Sequence, residues 1–167
     1  MELKMEILTA FIAGMATHWF YLRRGEHHMY GHLYLRALLT TLIFGVLIIW
    51  TFNDTPSPLW LSSSITSAII HIFYLLGLYT SLVIYRLALH PLGRFPGPTF
   101  ARLSAFWLSL HVRHGDAYKR VAALHSKYGA FLRIGPSDLS IAAPMAVELI
   151  YGPGSKCSKG PNYVSAS

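Results

Sequence analysis

The stretch Arg86-Leu87-Ala88-Leu89-His90-Pro91-Leu92-Gly93-Arg94-Phe95-Pro96-Gly97-Pro98 divides this chain into two parts of different character. Three prolines and two glycines fall within the nine residues 90–98. Proline fixes φ, removes a backbone donor and pushes the residue before it toward extended geometry. A helix cannot run through Pro91, Pro96 and Pro98, so the sequence predicts a stiff, extended connector.

Upstream of the connector the chain is apolar. Hydrophobic residues make up 53% of the 167 and charged residues only 13%, which is the composition of a membrane protein. Three segments stand out, at about 7–22, 33–52 and 59–85. A helix needs about 20 apolar residues to cross the hydrocarbon core. The third segment clears that length, and the second does so if Arg36 snorkels. The first is marginal and competes with a cleaved signal peptide. Glu2 and Glu6 near the start, and the lack of a small-residue cleavage site, speak against the signal peptide.

Charge orients these segments. Residues 1–85 hold four Lys/Arg and four acids, whereas residues 86–167 hold ten Lys/Arg and three acids, so the whole excess of +7 follows the last apolar segment. Arg23, Arg24 and Arg36 flank the first loop, and the loop at 53–58 has no basic residue. Three spans with a lumenal N-terminus put both basic flanks in the cytosol. A glycosylation sequon at Asn53-Asp54-Thr55 is then lumenal, but so close to the membrane that poor occupancy is expected. Attraction to anionic lipid headgroups adds to the role of the basic flank. The basic residues form no stripe on one helix face, so nucleic acid is not the expected partner.

Histidines inside the apolar segments raise the question of transport. His71 lies near the middle of the third segment and His18 in the first. A neutral imidazole bonded to Ser or Thr on a neighbouring helix (Thr40, Thr41, Ser67) accounts for His71. Proline and glycine are sparse in these segments and no pair of acids forms a relay, which argues against a transporter. His28 and His32 have a metal-ligand spacing, but Gly31 places them in a loop and no third ligand is near. His111 and His114 flank Val112-Arg113 and are a weak constellation on their own.

Downstream of the connector the pattern is α then β. Asp116 is an N-cap candidate for a helix from Ala117 to about Lys127, and Gly129 is its stop. Strand-like runs at 131–134 and 139–141 flank a hairpin turn, Gly135-Pro136-Ser137-Asp138. Pro144 opens a second helix, at 145–151, that ends at Gly152. These are two short helices and one hairpin. An isolated hairpin is marginal in water and so small a chain buries little surface, so residues 99–167 are expected to be disordered or to lie on the membrane.

The connector, with Lys127-Tyr128-Gly129, Arg133-Ile134-Gly135-Pro136, Ile150-Tyr151-Gly152, Gly154-Ser155-Lys156, Lys159-Gly160-Pro161 and Tyr163, resembles the opening of a fungal microsomal-type cytochrome P-450. That family comprises haem-thiolate monooxygenases. The resemblance implies a mainly α fold: three N-terminal transmembrane helices over 1–85, a proline-rich hinge over 86–98, and over 99–167 the first helix, β hairpin and second helix of an incomplete cytochrome P-450 domain. It marks Pro91, Phe95, Pro96, Gly97 and Pro98 as the hinge, and Gly135 and Pro136 as the hairpin turn. Full-length relatives would bind haem b and take electrons from an NADPH-cytochrome reductase. They would sit in the endoplasmic reticulum membrane with the C-terminal part cytosolic.

The resemblance also says what to expect of the chain alone. The family's axial cysteine lies in a Phe-x-x-Gly-x-Arg-x-Cys-x-Gly loop near the C-terminus, where its thiolate favours O–O cleavage. Cys157 has no such context and reads as a small, buried-type residue. The Glu-x-x-Arg motif, the oxygen-activating acid–alcohol pair and the Trp/Arg that meets the haem propionates are absent from the sequence. No catalytic, cofactor-binding or metal residue is therefore expected, and the chain alone is expected to be inactive. Residues 164–167 depart from the subgroup's usual continuation, as a premature stop, a retained intron or a degraded gene would make them do. The competing expectation is a small polytopic membrane protein that acts by protein–protein interaction.

Overall fold

The computed structural model describes residues 2–24, 27, 30–52, 60–113 and 115–157. The sequon at 53–55, His28, His114 and the tail from 158 onward lie outside the described residues. The fold is mainly helical, with one two-stranded hairpin. The chain divides into two compact units, Met1–Tyr85 and Arg86–Ser167.

The first unit has three helices. α1 spans Glu2–Thr17 and passes into a π-helical turn, His18–Leu22. α2 spans Gly31–Phe52, and α3 spans Trp60–Ile84 before a π-helical turn, Tyr85–Leu89. Gly31 opens α2 instead of lying in a loop, so His32 is helical. Among the described residues two helices are long and apolar enough to cross a membrane, Gly31–Phe52 and Trp60–Leu89. The first segment is not among them, so the expected three spans reduce to two that meet the test of length and composition. α1 begins with Glu2, Lys4 and Glu6 within its first two turns, which dilutes its apolar character.

α3 is the centre of this unit, and small residues let its neighbours approach. A Cβ added to Gly14 would collide with the carbonyl oxygen of Tyr74, and one on Gly77 with that of Phe11. On the α2 side a Cβ on Gly45 would stand 2.6 Å from Ser67 Oγ. Such close backbone approach is how helices associate where lipid is as apolar as leucine. Phe11 meets Gly77 and, further along both chains, His18 meets Ser81, so α1 is parallel to α3. Gly45 with Ser67 and Thr41 with His71 run oppositely, so α2 is antiparallel.

The second unit begins with the connector. It is not extended throughout: Pro91–Arg94 form a 3-10 turn between extended residues His90, Phe95 and Pro98. Proline at the first helical position needs no donor, and its φ is already set. The His90 imidazole closes the turn by accepting from the Leu92 N–H at 3.1 Å. Two short helices then precede the expected ones, α4 Thr99–Leu103 and α5 Phe106–Val112. Two helices are expected after the connector, and four occur among the described residues. The five and seven residues of α4 and α5 are too short for periodicity to show. α6 spans Ala117–Tyr128, β1 Phe131–Arg133, β2 Leu139–Ile141 and α7 Pro144–Tyr151. Asp116 stands at the N-cap position of α6, but its carboxylate takes Arg120 Nε, 2.9 Å from both oxygens, instead of a backbone N–H. Gly129 ends α6 at φ +96°, a conformation that costs glycine alone little.

β1 and β2 pair antiparallel with Leu132 opposite Ser140. Leu132 and Ala101, both 0% exposed, form the small buried core of this unit.

Candidate functional site

The largest fully buried side chain of the second unit is an arginine. Arg133 is 0% exposed on β1, between Leu132 and the hairpin loop. Its guanidinium donates through Nε to the Gly135 carbonyl at 3.2 Å and through Nη2 to that of Pro136 at 2.6 Å. Nη1 reaches the Arg86 carbonyl at 3.3 Å. Its own backbone N–H donates to the Pro96 carbonyl at 2.8 Å. One residue therefore ties the start of the connector, its proline end and the hairpin loop together. A planar fork with five donors suits this task, because buried carbonyls in irregular chain need partners and strand geometry cannot supply them.

The connector is shaped for that clamp. A Cβ on Gly97 would collide with the Arg133 carbonyl, so only glycine lets the chain pass this close to β1. Phe95 packs against Phe131, ring centroids 6.2 Å apart. Arg102 Nη2 donates to the Phe95 carbonyl at 3.4 Å, and Arg86 donates to the Leu103 carbonyl. Gly135 and Pro136 are buried beneath the Arg133 guanidinium. Gly135 keeps an ordinary φ, and what it supplies is room, since a Cβ there would run into the Asp138 carboxylate.

His90 titrates below the usual histidine range. Burial contributes most, followed by the positive charges of Arg133 and Arg86. The shift agrees with the geometry, because Nδ1 must be unprotonated to accept from Leu92. His125 bridges α6 to the hairpin, with Nδ1 donating to the Gly129 carbonyl and Nε2 2.8 Å from Ser140 Oγ.

The hinge residues and the hairpin turn of the sequence analysis thus lie on one assembly, and Arg133 is what joins them. Sequence reading quoted Arg133 only as part of a motif. The signal was there: a charged residue between Leu132 and Ile134, one residue short of Gly135-Pro136, is out of place in a strand unless its charge is used. His71 bonds Thr41 across helices at 3.3 Å as expected, but its contact with Ser67, at 2.8 Å, is to a carbonyl of its own helix.

An axial thiolate needs an enclosed cysteine. Cys157 is exposed, against the expectation of a buried-type residue, and its backbone N–H donates to Ser155 Oγ at 3.1 Å. No group of three His, Cys, Asp or Glu able to hold a metal occurs among the described residues. The exposed Cys157 does not fit the axial position of a haem-thiolate centre.

A helical unit with two helices long and apolar enough to cross a membrane is followed by a proline connector and a small α/β unit. The relatives of the chain give its family. It is 43% identical over 91% of its length to the cytochrome P450 monooxygenase notG' of Aspergillus versicolor. It is 40% identical over 94% to tryprostatin B 6-hydroxylase of Aspergillus fumigatus, and 36% identical over 98% to the cytochrome P450 monooxygenase lcsK of Purpureocillium lilacinum. It spans only 27%, 28% and 30% of those relatives' own lengths. No protein-family model matches the chain. No solved structure matches it either. The chain belongs to the fungal cytochrome P450 monooxygenases.

Proposed function

We propose that this chain is the membrane anchor and leading segment of a monooxygenase of fungal secondary metabolism. The whole protein takes O₂ and electrons from NADPH through a reductase. It places one oxygen atom in a small lipophilic substrate and releases the other as water. The observation that carries this reading is identity of 36–43% to such enzymes over more than nine-tenths of the chain. The connector clamp supports the hinge role of Pro91, Phe95, Pro96, Gly97 and Pro98, because Arg133 holds both ends of that stretch against the hairpin loop.

Residues 1–167 alone bind no haem and oxidise nothing in this reading, since the sequence lacks the axial-cysteine loop and Cys157 is exposed. A carbon monoxide difference spectrum of the purified chain tests this. A flat trace is expected, and a Soret peak would overturn it.

The anchor crosses the endoplasmic reticulum membrane three times in this reading, with its N-terminus lumenal. Parallel packing of α1 on α3 supports the third span, because a helix bound along α3 through Gly14 and Gly77 shares its surroundings. Outward-facing Leu8, Ile12 and Phe20 on that segment suit lipid. Trypsin added to sealed microsomes should cleave within 86–157 and spare an N-terminal tag. Loss of the tag would reverse the orientation. Co-purification of the chain with a partner protein, without any link to an oxidase, would favour the reading as an interaction protein.

A further inference from the structure

α1 and α2 both pack on α3, and a cleft of about 840 Å³ lies between them. That is within the roughly 300–1,000 Å³ of small-molecule sites. Leu38, Ile70, Leu78 and Leu82 are among the apolar side chains that line it, and His71 and Tyr74 stand on its α3 wall.

The polar atoms of that wall have a definite sense. The Ser67 carbonyl can only accept, so the hydrogen on the His71 ring is on Nδ1, 2.8 Å away. In the neutral ring Nε2 is then an acceptor. Its nearest partner, Thr41 Oγ, is 3.3 Å off, and that hydroxyl is closer, at 2.9 Å, to the Ala37 and Leu38 carbonyls. One helical step on, Tyr74 donates to Thr17 Oγ at 3.1 Å, because Thr17 donates to the Ala13 carbonyl at 2.9 Å. The Tyr74 oxygen keeps its own acceptor capacity. The wall of the cleft therefore offers acceptors three residues apart on one face of α3.

We infer that this cleft binds a small lipophilic molecule through a hydroxyl or N–H that it donates to His71 Nε2 and Tyr74 Oη. The inference rests on the reading of the unit as membrane-embedded, since the ligand enters sideways from the bilayer. A membrane alcohol such as a sterol, and a lipophilic substrate held near the enzyme, share this chemistry.

The test uses the whole chain in phosphatidylcholine vesicles with a long-chain alcohol that carries a diazirine. Its methyl ether, which cannot donate, is the control. The alcohol should label residues 34–41 and 70–82 several-fold more than the ether. His71→Leu together with Tyr74→Phe should reduce that preference about three- to fivefold, and Leu38→Trp should fill the cleft and abolish labelling by both probes. Competition by ergosterol assigns the site to a membrane alcohol, and competition by a lipophilic indole assigns it to substrate. Equal labelling by alcohol and ether, unchanged in the double variant, would sink the inference while resistance to alkaline carbonate leaves the membrane reading standing. Release by carbonate would remove both.

Discussion

The two units of this chain are built inside out with respect to each other. Among the described residues of the first unit every buried position is Gly, Ser or His: Gly14, His18, Ser63, Ser67, Gly77 and Ser81. Its large apolar residues face outward, Phe20 at 69% and Phe52 at 82% exposure. The second unit buries Leu132 and Ala101 beside a guanidinium that satisfies carbonyls. Where the surroundings are hydrocarbon, leucine gains nothing by turning inward, and close backbone packing and hydrogen bonds decide the interior. Where the surroundings are water, the few apolar side chains go inside, and irregular backbone must find donors there.

If that contrast is right, each interior fails by its own route. Arg133→Met should have the largest effect. It leaves the Gly135 and Pro136 carbonyls without their donor, and losing a buried charged network costs about 3 kcal/mol. Hydrogen exchange should show the amides of Arg133 and Ile134, which donate to Pro96 and Asp138, about 100-fold less protected, with α2 and α3 unchanged. Unaltered protection in the variant would show that Arg133 is not what holds the connector. Absence of protection in the parent chain would mean that residues 99–167 are as disordered as their small core led the sequence to predict.

Gly77→Leu is the counterpart in the membrane unit. The new side chain must push α1 away from α3, where overpacking costs about 1–3 kcal/mol. Thermal unfolding in micelles should begin several degrees lower, and protection at Ile134 should stay as it was. A melting temperature equal to that of the parent would mean that α1 does not depend on this contact.

The connector gives a sharper test within one stretch of nine residues. Gly97→Ala puts a methyl group against the Arg133 carbonyl, whereas Gly93 has nothing within 4 Å of its added Cβ. Gly97→Ala should cost about 1–3 kcal/mol, and Gly93→Ala should be neutral or stabilise by about 0.5 kcal/mol through the unfolded chain. Equal effects, read by proteolysis at the connector, would remove the argument that 96–97 is docked on β1.

Proline and charge change together at residue 86, and the sequence placed α6, the hairpin and α7 to within a residue or two. It hid α4 and α5, which are too short to repeat. The role of Gly14, Gly45 and Gly77 was also hidden, since composition shows that glycines are few and not that they align. The clamp was hidden for a related reason. Arg86, Pro96 and Arg133 meet only after the chain has turned through α4, α5 and α6, and no local pattern encodes a carbonyl as a partner.

The smallest expected effect probes the membrane interior most finely. Ser63 and Ser67 lie one turn apart on α3 and both are buried, at 0% and 1% exposure. Ser67 Oγ donates to the Leu42 carbonyl of α2 at 3.2 Å. Ser63 Oγ has no hydrogen-bond partner among the described residues. Removing a hydroxyl that is unsatisfied costs nothing and relieves a desolvated group, so Ser63→Ala should be neutral or slightly stabilising. Ser67→Ala deletes an interhelical bond and should cost about 0.6 kcal/mol, the average for such bonds in membranes. The two substitutions have the same chemistry, the same helix and the same burial, so their difference isolates the bond. A common sign for both in micelle unfolding would mean that helix contact alone, without the Ser67 bond, holds α2 to α3.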